Sequence, residues 1–124
     1  MIALLSVLRY LHTDKKILHR DLNPSNIMID HKLNLKVTDF GLAKSINSNT
    51  NPMVQSFVGT VAYSAPEIVK REDYNEKADI WSLGCIIHEL MCLKPAFTGN
   101  NPLLLAKIIS NREFNCDLPE DYSE

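Results

Sequence analysis

The stretch from Ile80 to Leu93 constrains the fold most. Ile80, Leu83, Gly84, Ile87, Leu90 and Met91 recur at helical spacing, and Ile86 and Leu93 add apolar groups on further sides. A helix that is apolar on several sides has no stable place on a surface, so a helix over residues 79–93 is expected at the centre of a core. The chain has 124 residues, 45% of them hydrophobic and 23% charged, which is ordinary globular usage. That length suits one compact domain with a real interior. The composition excludes collagen-like, coiled-coil and disordered classes.

Other segments arrange themselves around this helix. Met1, Leu4, Leu5, Leu8 and Leu11 form one helical stripe running to about His12, with no capping residue ahead of it. The chain is therefore expected to begin inside a helix. Residues 26–30 and 35–38 read as two short strands, joined by a polar turn at Asp30, His31 and Lys32. Residues 43–56 are rich in Ser and Asn and lack periodicity, which predicts a long loop of the kind that is usually functional or disordered. Asn101 as cap and Pro102 in the first helical position start a third helix through about residue 110. The expected class is α+β, mainly helical, with one small β-hairpin.

A formal net charge of −2 and a pI near 6.1 give no electrostatic footprint for nucleic acid or an anionic membrane as main partner. No apolar run approaches the roughly 20 residues needed to span a bilayer, and the N-terminus lacks the basic region and cleavage site of a signal peptide. Cys85, Cys92 and Cys116 are an odd set without CxxC spacing, which argues against a zinc site and a disulfide framework. They read as reduced thiols of an intracellular protein, cytoplasmic or nuclear. His12, His31 and His88 show no partner spacing and read as surface or boundary residues.

The chemistry is concentrated in ordered motifs. His19-Arg20-Asp21-Leu22-Asn23-Pro24-Ser25-Asn26 fits the pattern H-R-D-x-x-x-x-N. Asp39-Phe40-Gly41 follows the second strand, Ala65-Pro66-Glu67 follows the long loop, and Asp79-Ile80-Trp81-Ser82-Leu83-Gly84 opens the apolar helix. In order, spacing and context the chain resembles the C-terminal lobe of a eukaryotic protein kinase. Its catalytic loop and the run Gly59-Thr60-Val61-Ala62-Tyr63-Ser64-Ala65-Pro66-Glu67 look like Ser/Thr rather than tyrosine kinases. Ser-Phe-Val-Gly-Thr at 56–60 and the run from Glu76 to Cys85 are similar to NIMA-related (Nek) kinases.

The resemblance implies a partial kinase domain over residues 1–124: the end of helix E, the catalytic loop, the activation segment, and helices F and G, with the N-lobe absent. It implies phosphoryl transfer from MgATP to Ser/Thr hydroxyls of a protein substrate, a reaction that needs positioning and charge neutralisation more than covalent help from the protein. Asp21 would accept the hydroxyl proton. Asn26 and Asp39 offer hard oxygens suited to Mg²⁺ on the nucleotide phosphates, and Met28 would lie against the adenine. His19 and Phe40 would pack into a hydrophobic spine that sets the metal-binding Asp39, and Gly41 would be structural. Asp79 would accept hydrogen bonds from the backbone at His19 and Arg20, and Glu67 would be a buried carboxylate.

Residues 39–67 resemble an activation segment. Arg20, whose guanidinium can grip a phosphate bidentately, suggests control by phosphorylation in that segment and hence an activating kinase. Ser56 is the leading candidate, with Ser48 and Thr50 as alternatives, and Thr60 matches the position that seats the substrate hydroxyl. Two departures from the family stand out. Asn23 occupies the place of the usual Lys, which removes a positive charge from the transferring phosphate. No G-x-G-x-x-G occurs in the 124 residues, and only eighteen precede His19, so this chain alone is expected to be inactive. A second reading is a catalytically inactive interaction or regulatory module of kinase ancestry, partnering a full-length kinase, and a third is a helical fragment with no role of its own.

Overall fold

The computed structural model describes residues 2–41, 43–45 and 61–120. Helix α1 (Ile2–Arg9) passes without a break into a π-helical turn, Tyr10–Asp14. The first helical segment therefore extends past the expected end at His12. Leu4, Leu8 and Leu11 are buried as the stripe requires, but Leu5 is 43% exposed and lies on its edge.

Strands β2 (Ile27–Ile29) and β3 (Leu35–Val37) pair antiparallel, with Met28 opposite Lys36. The side chain of Asp30 closes their connection by accepting from the backbone N–H groups of Lys32 and Asn34. Those bonds, led by Asn34, hold its carboxyl below the ordinary carboxylate range. Leu33 sits at φ 63°, the left-handed geometry that finishes the turn. The hairpin is accompanied by a second ladder: β1 (Ile17–Leu18) pairs antiparallel with β4 (Lys44–Ser45). The start of the expected long loop is thus a strand.

Helix α2 (Pro66–Val69) is one short turn, and α3 (Lys77–Cys92) is the long helix. Two apolar clusters meet across α3. Leu83 and Ile86 join Leu4, Leu8, Leu11 and Leu22 on one side. Cys85 joins Val61, Ala96, Phe97 and Ile109 on the other, with Trp81 packed against them. The helix is central because it serves both clusters, although Ile80 and Leu90 face outward, at 40% and 71% exposure. Burial pushes the Cys85 thiol up to about 12.

Helix α4 (Pro102–Asn111) begins where the sequence places it. The Asn101 side chain accepts from Leu104 N–H at 2.9 Å, and Pro102 takes the first helical position. The chain enters α4 past Gly99, where a Cβ would stand 2.9 Å from the Leu105 nitrogen, so backbone contact leaves no room for a side chain. The segment after α4 folds back over α3, with Phe114 stacked on His88 and tilted against Phe97.

Three sequence expectations are corrected by this packing. His12 is not a boundary residue without a partner: its Nε2 lies 2.7 Å from the buried Asp79 carboxylate. His88, read from the sequence as lacking a partner, meets Cys92 Sγ and the Cys116 carbonyl oxygen, while the three cysteines are free thiols as expected. Glu67 is half-buried rather than buried.

Candidate functional site

The catalytic-loop motif folds as a sharp turn held from below. Arg20 adopts φ 69°, an unusual conformation for a residue with a side chain, of the kind that costs on the order of 1–3 kcal/mol and persists only where the surroundings enforce it. Asp79 supplies that enforcement. One carboxylate oxygen accepts His19 N–H at 2.9 Å and the other accepts Arg20 N–H at 2.9 Å, while Asp79 as a whole is 1% exposed. The His12 ring donates to the same oxygen as His19.

His19 is fully buried. Its Nε2 donates to Thr38 carbonyl oxygen at 2.9 Å and its Nδ1 accepts Asp21 N–H at 3.3 Å, which ties the catalytic loop to the end of β3. Phe40 meets the His19 ring edge to face at 4.9 Å.

Asp21 is flanked by two amides. Asn23 Nδ2 donates to the Asp21 carbonyl at 3.0 Å and to its carboxylate at 3.3 Å. Asn26 Nδ2 makes the equivalent pair of bonds, at 2.8 Å and 3.3 Å, to the carbonyl and the other carboxylate oxygen. The Asn23 oxygen is also occupied, accepting Ser25 N–H to cap the 3₁₀ turn Pro24–Asn26. Asn23 therefore does structural work: 3% exposed, it fixes the loop and aims the carboxylate of Asp21.

Asp39 also lies at positive φ, 59°, and its Oδ1 accepts Gly41 N–H at 3.3 Å. Asp21, Asn23, Asn26 and Asp39 line one cavity of about 560 Å³, together with Tyr63 and Glu89. Its donor set is oxygen-rich: the exposed Asp39 carboxylate, and the Asn26 amide oxygen, which is left over once the amide nitrogen is spent on Asp21. Hard oxygens of this kind fit Mg²⁺. Met28 is 58% exposed on β2 beside the hairpin partner Lys36 and does not line that cavity.

Tyr63 and Glu89 were not singled out from sequence. Tyr63 donates to Glu89 Oε2 at 2.6 Å, and burial followed by that carboxylate raises its phenol well above the usual value. Ser82 on α3 donates to Tyr63 carbonyl oxygen at 2.7 Å and holds the tyrosine against the helix. Glu89 falls ten residues after Asp79 on α3, a register that becomes informative only once the helix is known to border the cavity. The Arg20 guanidinium lies 5.6 Å from the Tyr74 ring centroid. Ser48, Thr50, Ser56 and Thr60 lie outside the described residues.

Comparison with known proteins fits this geometry. The protein kinase domain family matches residues 1–123. The chain belongs to the protein kinase family. It is 48% identical to human serine/threonine-protein kinase Nek10 over 99% of its own length and 10% of that protein. It is 46% identical to human serine/threonine-protein kinase Nek2, covering 87% of this chain and 24% of Nek2. With the probable serine/threonine-protein kinase nek2 of Dictyostelium discoideum it shares 40% identity, across the whole chain and 29% of that protein. The chain thus spans between a tenth and under a third of these relatives.

Proposed function

We infer that this chain carries the phosphoryl-acceptor half of a Nek-type Ser/Thr protein kinase active site, corresponding to the C-lobe of the domain. The observation that carries the reading is the Asp21 carboxylate. Each of its oxygens is met by a different amide, in a cavity shared with the Asp39 carboxylate.

The residues divide the work by chemistry. Asp21 accepts the proton of a Ser or Thr hydroxyl as its oxygen attacks the γ-phosphorus of ATP, and Asn23 and Asn26 hold the carboxylate in the orientation that receives it. Asn26 and Asp39 would hold Mg²⁺, which when bound neutralises charge on the nucleotide phosphates. Met28 and the neighbouring strand surface would face the adenine. Asn23, in place of a lysine, gives the phosphate no positive charge, so the rate is lower than a lysine would allow. Arg20 would receive an activating phosphate on the segment containing Ser56, delivered by another kinase, while Thr60 would help seat the substrate hydroxyl. Glu89 adds a third carboxylate to the wall and favours a basic side chain on the protein substrate.

The test uses the full-length protein with MgATP and a Ser/Thr peptide. Asp21→Asn is expected to lower kcat by at least a hundredfold with little change in thermal stability. Unchanged turnover in that variant would refute the assignment.

A further inference from the structure

On the far side of α3 from the catalytic loop, three ligand-type atoms converge. His88 and Cys92 are four residues apart and share one face of the helix, and Cys116 arrives from the segment that folds back after α4. Their ligand atoms all lie within 4.8 Å of one another, and His88 Nε2 is 3.8 Å from Cys92 Sγ. We propose that His88, Cys92 and Cys116 form a site for a borderline-soft divalent cation of the zinc type, separate from the phosphoryl-transfer site.

The geometry is close to what such an ion requires. Donors placed 2.0–2.3 Å from a tetrahedral centre stand about 3.5–3.8 Å apart, so closure demands at most a movement of about 1 Å. One imidazole and two thiolates exclude Mg²⁺ and Ca²⁺, which take oxygen ligands, and select zinc-like metals. An i, i+4 pair on a helix is a common way to present two zinc ligands. Cys92 and Cys116 are both half-buried, leaving the fourth position for water.

Cys116 is held in place without the metal. The adjacent Asn115 donates from its backbone N–H to Ala96 carbonyl oxygen and from its side chain to Pro95 carbonyl oxygen, while accepting from Thr98. Phe114, one residue earlier, stacks on the His88 ring at 5.3 Å. The residues before Cys116 therefore anchor it, and the ion does not have to order a free strand. The imidazole limits the affinity. His88 Nε2 donates to Cys116 carbonyl oxygen at 3.1 Å, and Nδ1 is buried with no partner among the described residues. Ligation through Nε2 moves the ring proton to Nδ1, where no acceptor waits. Absence of such an outer partner typically weakens metal affinity by 10–100-fold, so the site is weaker than a closed structural zinc site.

The test titrates reduced, metal-free full-length protein with Co²⁺ and then displaces it with Zn²⁺. One equivalent of Co²⁺ is expected to give thiolate-to-metal charge-transfer absorption with tetrahedral d–d bands. Cys92→Ser and Cys116→Ser each remove that equivalent, and His88→Ala weakens it at least tenfold. Cys85→Ala leaves it intact. Either serine variant suffices if the other loses its native circular dichroism. Three results overturn the proposal: no such absorption, full absorption in a correctly folded serine variant, or thiol counts showing Cys92 joined to Cys116 by a disulfide under the same reducing conditions.

Discussion

Replacing Asp79 with Ala removes a carboxylate that accepts two backbone N–H groups and one imidazole N–H, all between 2.7 and 2.9 Å. Hydrogen bonds to a charged group contribute about 1.5–3 kcal/mol each, and the two amides lose their partner in an interior that is nearly dry. Allowing for relaxation and entry of one water, the loss is about 3–5 kcal/mol, a large part of the roughly 5–15 kcal/mol that holds a domain together. The local consequence is sharper than the global one. Arg20 loses the bond that keeps it at φ 69°, so the catalytic turn relaxes and Asp21 moves from its two amides. Asp79→Asn keeps one acceptor and lies between the parent and Asp79→Ala. The assays are denaturant unfolding and amide hydrogen exchange at His19 and Arg20 in the full-length protein. Loss of less than about 1 kcal/mol in Asp79→Ala, or undiminished protection of those amides, would refute the reasoning.

Two further predictions concern stability. Asp30 has its folded pKa held below the ordinary 3.8, so its contribution to the β2–β3 turn is present above that value and fades as pH falls through the depressed folded value. An NMR titration should find its midpoint below 3.8, and a midpoint at or above it would contradict the turn geometry. Gly99→Ala drives a methyl into the Leu105 backbone and is expected to lower stability by about 1–3 kcal/mol, read as a fall in Tm; an unchanged Tm would show that the entry to α4 gives way freely.

Legibility in the sequence followed the range of the interactions. The β2–β3 hairpin and the start of α4 were readable because alternation, Asp30 and the Asn101-Pro102 pair act within a few residues. The cluster of Asp21, Asn26 and Asp39 was readable as motif spacing. The β1–β4 ladder was not, because two-residue strands separated by a whole hairpin carry no periodic signal. The π-helical turn was hidden for another reason: Leu11 keeps the helical stripe while the hydrogen bonding changes beneath it. His12 with Asp79, and His88 with Cys116, are 67 and 28 residues apart and met only through packing. Asn23 was singled out by its place in the motif, but its tasks as turn cap and Asp21 clamp depend on distances no spacing reveals.

Helix α3 starts two residues before Asp79 and ends at Cys92. Its 16 residues make a rod of about 24 Å at 1.5 Å per residue, with the catalytic loop hung from its first turn and the His–Cys–Cys cluster on its last. For a lever of that length gripped at its middle, a tilt of about 5° carries each end through about 1 Å. Such a displacement exceeds the tolerance of a 2.9 Å hydrogen bond. The two apolar clusters gripping α3 along its middle therefore serve as its fulcrum, and their packing sets how far the ends can swing.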